Sequence, residues 1–260
     1  MITRATAQSK ELARELSARG ATPVVFPLVS FAEPDDFAPL DRAIAEVQQF
    51  DWLILTSAQA VRAVIERAAD LQQPLVRTEG RLRVACVGPV TADSARKADL
   101  PVAYVASTHH GVALANELGG KLQGAKVLLP RSDRANPDLP RALARFGAQV
   151  TEVVAYRTLR PAETDRDGLK EIVDGQADAI LFFSPSAVQH FAELTGDGQL
   201  LQIQSKLAIA AVGPVTANAL REAGVQRAVV AQDTTAASVV GALEEYFAAA
   251  KARPAGAKRA

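Results

Sequence analysis

The sequence predicts an α/β protein of two domains with parallel sheets, one of them discontinuous in the chain. Three observations predict this: short β-branched runs alternate with alanine-rich amphipathic segments, most runs are apolar throughout, and much of the chain occurs twice. Alternating strands and helices favour parallel sheets with right-handed crossovers. Runs that are apolar throughout are typical of parallel strands buried on both faces.

The predicted strands follow one another along the whole chain. They are, in order, PVVF near Val24, WLIL from Trp52, VACV from Val84, VAYV from Val102, KVLL from Lys126, TEVVAY near Val153, AILFF from Ala179, LAIAAV from Leu207 and AVVA from Ala228. The segments between them read as helices. SKELARELSARG, for example, places Leu12 and Leu16 four residues apart and ends at Gly20, a typical helix stop.

The repeat is marked by the hexapeptide Val-Gly-Pro-Val-Thr-Ala, whose two glycines, Gly88 and Gly213, are 125 residues apart. LILTSAQAVRAVIE likewise resembles ILFFSPSAVQHFAE. The counterpart of the segment that follows the first copy lies at the N-terminus, where Arg4 matches Arg131 at an offset of 127. The second copy is therefore predicted to be circularly permuted.

The permutation sets the domain organisation. The predicted boundaries are 1–28 plus 162–250 for domain 1, 36–153 for domain 2, 29–35 and 154–161 for the linkers, and 251–260 for a disordered tail. Pro27, Pro34 and Pro161 discourage helix at both crossings. We expect two extended linkers that pair as a short β-ladder and act as a hinge.

Composition excludes several classes of function. Lys plus Arg and Asp plus Glu number 29 each, so no overall basic field favours nucleic acid. No apolar run approaches the roughly 18 residues of a membrane span, and the N-terminus lacks the apolar core of a signal peptide. Cys86 is the only cysteine, and three scattered histidines argue against zinc. We expect a soluble cytoplasmic protein without a metal.

Small polar residues and glycines follow predicted strands in both halves. The candidate ligand-contacting residues are Thr56, Ser57, Gly88, Thr91, Ser184, Ser186, Gly213, Thr216, Thr234 and Thr235. In open parallel sheets ligands bind beyond the carboxyl ends of the strands, where two facing domains could line one cleft. The same residues also suit plain helix caps and βα turns, and both interpretations stay open.

Two larger side chains are further candidates. Arg131 could hold a ligand carboxylate in a bidentate fork, or form a local ion pair with Asp133 on an exposed loop. Tyr156 breaks the repeat, since its counterpart is Val29. Its phenol, with a reference pKa of about 10, stays protonated and can donate a proton, although a half-buried linker aromatic is the alternative. No histidine is given a catalytic role: His109 and His110 are placed in an exposed turn, and His190 on a helix face.

The ordered motifs resemble the uroporphyrinogen-III synthase family over nearly the whole chain. They are ITR, FPL, LTSAQAV, VGPVTA, LLPRSD, VAYRT, FFSPSAV, a second VGPVTA and TTAASVVGAL. The resemblance implies two flavodoxin-like domains joined by a two-stranded ladder, with the active site in the cleft between them. It also implies a monomer that acts without cofactor or metal.

The resemblance implies the reaction as well. Family members dehydrate and cyclise hydroxymethylbilane, received from hydroxymethylbilane synthase, and invert ring D through a spiro intermediate to give uroporphyrinogen III. The family's tyrosine, proposed to assist departure of the hydroxyl as water, falls on Tyr156. The strand-end residues and Arg131 would hold the substrate carboxylates.

Two alternatives remain: a non-catalytic two-domain protein that binds a small anion, and an inactive tetrapyrrole-binding relative. The chain also departs from internal symmetry. Ala58 and Gln59 stand where the second copy has Pro185 and Ser186, which weakens any symmetrical role for the two strand ends.

Overall fold

The structure, a computed structural model, describes residues 1–76, 80–108, 110–162, 165–196, 198–231 and 235–251. The chain divides into two compact units, Phe31–Leu159 (the continuous unit) and Met1–Ser30 with Arg160–Ala260 (the discontinuous unit). The separate linkers at 29–35 and 154–161 and the other predicted domain boundaries stay predictions. Beyond Lys251, the predicted disordered tail lies outside the described residues.

Strands and helices alternate along the described chain. The strands are β1 (Ser30–Ala32), β2 (Trp52–Leu55), β3 (Arg83–Cys86), β4 (Val102–Val105), β5 (Lys126–Ser132), β6 (Gln149–Leu159), β7 (Ala179–Phe182), β8 (Ala208–Val212) and β9 (Ala228–Ala231). The α-helices are α1 (Thr6–Ala18), α2 (Ala38–Ala45), α3 (Ala58–Asp70), α4 (Pro89–Lys97), α5 (Gly111–Leu118), α6 (Asp138–Arg145), α7 (Arg166–Asp174), α8 (Pro185–Thr195), α9 (Gln199–Ile203), α10 (Pro214–Glu222) and α11 (Ala236–Lys251).

The continuous unit holds a six-stranded sheet in the order β1-β6-β5-β2-β3-β4. The pairs β6–β5, β5–β2, β2–β3 and β3–β4 are all parallel. If β5 and β6 are renumbered 1 and 2, and β2, β3 and β4 are renumbered 3, 4 and 5, the five strands lie across the sheet in the order 2-1-3-4-5. Because they are parallel, their carboxyl ends meet at one edge of the sheet, which is where ligands bind in such folds.

Both faces of this sheet are covered, as apolar strands require. Leu53 and Leu55 of β2 join one apolar cluster, to which α2, α3 and α4 contribute. Trp52 and Ile54 of the same strand join a second cluster, to which α5 and α6 contribute. Alternate residues of one strand thus face opposite helix layers, which is why WLIL is buried throughout.

The discontinuous unit holds a three-stranded parallel sheet, β7-β8-β9. Ile2 extends it, forming parallel bridges to Leu181 of β7 and to Val25. Reading Ile2 and Val25 as the first two strands, the order is again 2-1-3-4-5. The bridge Ile2–Val25 and the pair Leu129–Glu152 of β5 and β6 are 127 residues apart, so the sequence repeat is also a repeat of strand pairing.

The prediction of α/β structure with parallel sheets is confirmed, with differences at particular strands. PVVF was predicted as a strand, but only Val25 makes an isolated bridge, since its partner segment is also a single bridging residue. In contrast, β5 and β6 run beyond KVLL and TEVVAY, to Ser132 and Leu159. Strand β5 is longer because it pairs with β6 along seven register positions, the last of which joins Ser132 to Tyr156. The end of β6 lies beyond this pairing, and β6 also has β1 as a neighbour.

No helix among the described residues is both long and apolar enough to cross a membrane.

The single cysteine offers a test of the core. Cys86 is buried at the end of β3, and burial raises the pKa of its thiol to about 12. Because the thiolate is the reactive form, we expect the native protein at pH 8 to react with an aromatic disulfide reagent far more slowly than the unfolded chain. The measurement is the release of the coloured thiolate with and without guanidinium. Rapid labelling of one thiol per chain without denaturant would contradict the packing described for β3.

Candidate functional site

Tyr156 and Ser57 meet at the carboxyl edge of the sheet in the continuous unit. The Tyr156 hydroxyl lies 3.1 Å from Ser57 Oγ. Tyr156 is on β6 and Ser57 directly follows Thr56 at the end of β2, so the tyrosine side chain reaches past the intervening strand β5. The tyrosine is buried, with 9% of its surface exposed. Two residues predicted separately as site residues therefore form one hydrogen-bonded pair.

The position of Ser57 is fixed by the helix that follows it. Ser57 is the N-cap of α3, in extended backbone, and its Oγ accepts the backbone N–H of Ala60 at 3.0 Å. A hydroxyl has one proton and two acceptor positions, so the capping bond leaves the proton and one lone pair for Tyr156. The helix thereby holds the serine oxygen where the phenol can meet it.

The ring of Tyr156 is held by a second aromatic. The Phe31 ring from β1 lies edge-to-face against it, with centroids 5.5 Å apart and planes at 86°. Edge-to-face contact is a favoured arrangement of two aromatic rings. The phenol is thus constrained at its ring by Phe31 and at its oxygen by Ser57.

A polar cluster lies beside this pair, where β5 and β6 end. The register of the two strands shifts between Arg131 and Ser132, so that Ser132 lies opposite Tyr156. Ser132 Oγ is 2.8 Å from Thr158 Oγ1 and donates to Asp133 Oδ1 at 3.0 Å. Asp133 Oδ1 also accepts the backbone N–H of Thr158 at 2.9 Å. These bonds join the end of β5 to β6 two residues beyond Tyr156.

Arg131 has partners that the sequence did not indicate. Its Nη1 donates to Glu152 Oε1 at 2.9 Å and its Nη2 to the Asn136 carbonyl at 2.6 Å. Nε is buried and has no hydrogen-bond partner within the part of the chain that the structure describes. The arginine is buried in β5 rather than placed on an exposed loop, and it pairs with Glu152 rather than with Asp133. The fork predicted for a ligand is therefore occupied by protein groups, and binding of a carboxylate by Arg131 stays a prediction.

The surroundings keep the phenol neutral. Burial raises the pKa of Tyr156, and this outweighs the lowering by the Ser57 hydrogen bond and by the charge of Arg131; the Asp133 carboxylate adds to the increase. At neutral pH the side chain therefore carries its proton. The arrangement can donate that proton or a hydrogen bond to a group brought against it.

The remaining candidates of the continuous unit lie at two βα turns. Thr56 is half-buried at the end of β2. Gly88 precedes α4 in extended backbone, φ −158° and ψ 169°, which any residue adopts, while Thr91 is buried in the first turn of α4. Contact of any of these residues with a ligand stays a prediction.

The candidates in the discontinuous unit lie at equivalent helix starts. Ser184 is the N-cap of α8 and accepts the Ala187 N–H at 3.3 Å, Ser186 is half-buried in the first turn of α8, and Thr235 accepts the Ser238 N–H at 3.2 Å. Gly213 and buried Thr216 belong to the start of α10. Thr234 lies outside the described residues. Capping is thus observed for Ser57, Ser184 and Thr235, while their contact with a ligand stays a prediction.

The histidines and possible metal ligands complete the inventory. His190 is buried, with Nδ1 2.6 Å from the Leu28 carbonyl, and His110 is the N-cap of α5; His109 lies outside the described residues. Among the described ranges no group of three or more His, Cys, Asp or Glu side chains could hold a metal ion.

Phe31, Ser132 and Thr158 were not predicted as site residues. The motifs LLPRSD and VAYRT do mark Ser132 and Thr158 as polar residues at two strand ends. The adjacency of β5 and β6, which joins them, depends on the strand order and could not be read from either motif. Phe31 carries no signal of its own, because its contact with Tyr156 requires β1 to lie beside β6.

The sequence matches one known protein family along most of its length. Residues 10–241 match the family described as uroporphyrinogen-III synthase HemD. The chain is 30% identical to the uroporphyrinogen-III synthase of Synechococcus elongatus over 250 residues, covering 95% of this chain and 94% of that protein. A uroporphyrinogen-III synthase of Chlorobaculum parvum is 24% identical over 228 residues, covering 87% and 89% of the two chains.

Solved structures share the fold. A mutant uroporphyrinogen III synthase of Thermus thermophilus aligns with a TM-score of 0.64 at 21% identity, covering 94% of this chain and 98% of that one. The uroporphyrinogen-III synthetase of Helicobacter pylori aligns with a TM-score of 0.57 at 17% identity, covering 86% and 92%.

The repeated glycines provide a matched test of the two turns. Gly213 has φ 79° and ψ 160°, a conformation accessible almost only to glycine, whereas Gly88 is extended. A Cβ at Gly213 would meet no atom within 4 Å, so its cost is backbone strain alone. We expect Gly213→Ala to lower the free energy of unfolding by about 1–3 kcal/mol and Gly88→Ala to lower it by less. Denaturant unfolding measures both, and equal losses would contradict the difference between the turns.

Proposed function

The chain belongs to the uroporphyrinogen-III synthase family, and we propose that it converts hydroxymethylbilane into uroporphyrinogen III with loss of water and inversion of ring D. The enzyme is accordingly a lyase. The observation in the molecule that supports the proposal most is the neutral, buried phenol of Tyr156, held by Ser57 at the carboxyl edge of a parallel sheet.

The first chemical step is departure of the substrate hydroxyl. Tyr156 donates its proton to that oxygen, and the carbon–oxygen bond breaks. Water departs, and the substrate becomes an azafulvene cation stabilised by the pyrrole nitrogen. Attack by the substituted carbon of ring D gives a spiro intermediate, whose fragmentation and re-closure invert the ring. Every step is redox-neutral, so the proposal includes no redox cofactor.

The second task is control of which bond forms. Ring closure without inversion is intrinsically easy, so the protein must hold the substrate in the folded geometry that favours inversion. We propose that carboxylates of the substrate bind at the strand-end turns, where backbone N–H groups and helix N-termini favour anions. The contacting residues proposed are Thr56, Ser57, Gly88, Thr91, Arg131, Ser184, Ser186, Gly213, Thr216, Thr234 and Thr235.

Finer features of the family description are part of the proposal too. The strand order 2-1-3-4-5 in both units supports a flavodoxin-like description of each. Adjacent β1 and β6 suit the expected two-stranded ladder, for which a hinge role is proposed. We also propose a cytoplasmic monomer that receives its substrate from hydroxymethylbilane synthase.

The activity is tested with freshly generated hydroxymethylbilane. We expect the purified protein to yield uroporphyrinogen III faster than the spontaneous closure yields isomer I, as resolved by chromatography of the oxidised uroporphyrins. Isomer I alone, at the spontaneous rate, would contradict the synthase function and favour a non-catalytic binding protein.

The role of Tyr156 is tested by Tyr156→Phe with Tyr104→Phe as control. We expect Tyr156→Phe to slow isomer III formation by about ten- to a hundredfold, at or below the usual contribution of a general acid, because the hydroxyl departs readily. Tyr104, in the same unit, bonds Glu117 at 3.0 Å, away from the proposed chemistry, so its loss should leave the rate unchanged. Equal rates for both variants would remove Tyr156 from the mechanism.

A further inference from the structure

We infer that Ser57 is a positioning residue for Tyr156, holding the phenol oxygen and donating a hydrogen bond to it as the phenol gives up its proton. The inference rests on the proposed function, because it assumes that Tyr156 protonates the departing hydroxyl. It restricts the substrate contact proposed for Ser57 to the backbone N–H, because the single proton of the serine hydroxyl is donated to the phenol.

The geometry limits what the serine hydroxyl can do. Its oxygen accepts the Ala60 N–H at 3.0 Å, which fixes the oxygen at the start of α3. The phenol oxygen is 3.1 Å away, and the structure allows either hydroxyl to be the donor. If Ser57 donates, the proton of Tyr156 is free for the substrate, which is the arrangement that a general acid needs.

The hydrogen bond from Ser57 also stabilises the phenolate that Tyr156 becomes after it gives up its proton. The Tyr156 proton moves to the substrate hydroxyl, and the carbon–oxygen electron pair leaves with water. The pyrrole nitrogen lone pair stabilises the resulting cation, and Tyr156 is left as a phenolate. Tyr156 recovers a proton at the end of the sequence, when re-closure forms a bond at the unsubstituted α-carbon of ring D and that carbon loses its hydrogen as a proton.

Buried negative charge requires hydrogen-bond donors and nearby positive charge. Ser57 supplies the donor, and the N-terminus of α3 places the positive end of the helix dipole beside it. Arg131 adds a buried cation whose charge acts on Tyr156, opposed by the Asp133 carboxylate. Ser57 is the group in direct contact and therefore the one to change.

The internal repeat separates capping from positioning. Ser184 occupies the position equivalent to Ser57, with nearly the same N-cap backbone, φ −159° and ψ 155° against −156° and 155°. Val29 stands at the counterpart of Tyr156, so the capping serine of the second copy has no corresponding phenol. The cap is thus shared by both units, whereas the bond to a phenol belongs to the continuous unit.

A double-mutant cycle tests the inference. We expect Ser57→Ala to lower kcat for isomer III by about tenfold, as for loss of one hydrogen bond to a charged group, with little change in KM. Ser57→Thr keeps both the cap and the hydroxyl and should restore the rate. In the Tyr156→Phe background, Ser57→Ala should change kcat by less than about twofold, because Ser57 acts through the phenol.

The pKa of Tyr156 distinguishes a serine that positions the phenol from a serine that only caps a helix. The Ser57 bond lowers the pKa of Tyr156, so Ser57→Ala should raise it. NMR of ¹³C-labelled tyrosine, with the Tyr156 signal identified by its loss in Tyr156→Phe, measures this directly. Ser184→Ala removes the equivalent cap and should leave the Tyr156 titration unchanged.

The control for activity is another helix cap. Asp165 caps α7, accepting the N–H groups of Asp167 and Gly168 at 3.1 and 3.0 Å, and it lies outside the proposed chemistry. Asp165→Ala should destabilise the protein to a similar extent and leave kcat unchanged. Equal slowing by Asp165→Ala would attribute the Ser57 effect to lost stability and overturn the inference.

The outcomes distinguish the two proposals. If Ser57→Ala lowers kcat equally with and without the Tyr156 hydroxyl, or leaves the Tyr156 titration unchanged, the positioning role is overturned while the synthase function stands. If the unsubstituted protein forms no isomer III, the proposed function fails and the inference fails with it.

Discussion

The site depends on the parallel alignment of β2, β5 and β6. Parallel strands end at the same edge of a sheet, so groups far apart in sequence come together there. Ser57 and Tyr156, 99 residues apart, meet at 3.1 Å because Ser57 follows the end of β2 and Tyr156 lies opposite Ser132, the last residue of β5. The apolar clusters on the two faces keep these strands in place, and the chemistry proposed for the phenol rests on that packing.

The two units share a repeated scaffold but differ in the side chains proposed to carry the chemistry. Both units share a strand order, a strand pairing 127 residues apart and a capping serine. The differences lie in larger side chains. Arg131 is tied to Glu152 and Asn136, whereas its counterpart Arg4 lies over the Phe183 ring at 4.9 Å. Tyr156 has no aromatic counterpart, because Val29 stands at the equivalent position, so the proposed proton donor belongs to one unit.

Local patterns were enough to predict most of the fold. WLIL and AVVA are strands with the predicted ends, because apolar and β-branched runs mark buried strands directly. The prediction of a strand at PVVF was wrong, because Val25 makes only an isolated bridge to Ile2. The extent of pairing between two segments cannot be read from either segment alone. Ser57 was predicted as a site candidate because it follows a recognisable strand, and Tyr156 because it breaks the internal repeat.

The partners of the site residues were not predictable. Glu152 reaches Arg131 through the register of β5 against β6, and Phe31 reaches Tyr156 through β1 beside β6. Register and strand order depend on long-range packing rather than on any local pattern. Sequence analysis therefore predicted Arg131 as a ligand-binding residue without predicting its ion pair with Glu152.

Tyr156 is proposed to act as a neutral proton donor, and the acidity of its phenol is the property to vary. Fluorinated tyrosines placed at position 156 lower the phenol pKa stepwise with little change in shape. If the phenol protonates the departing hydroxyl, the rate of isomer III formation should rise with acidity until the phenol ionises at the assay pH, and then fall. A rate independent of phenol acidity across the series would contradict the account.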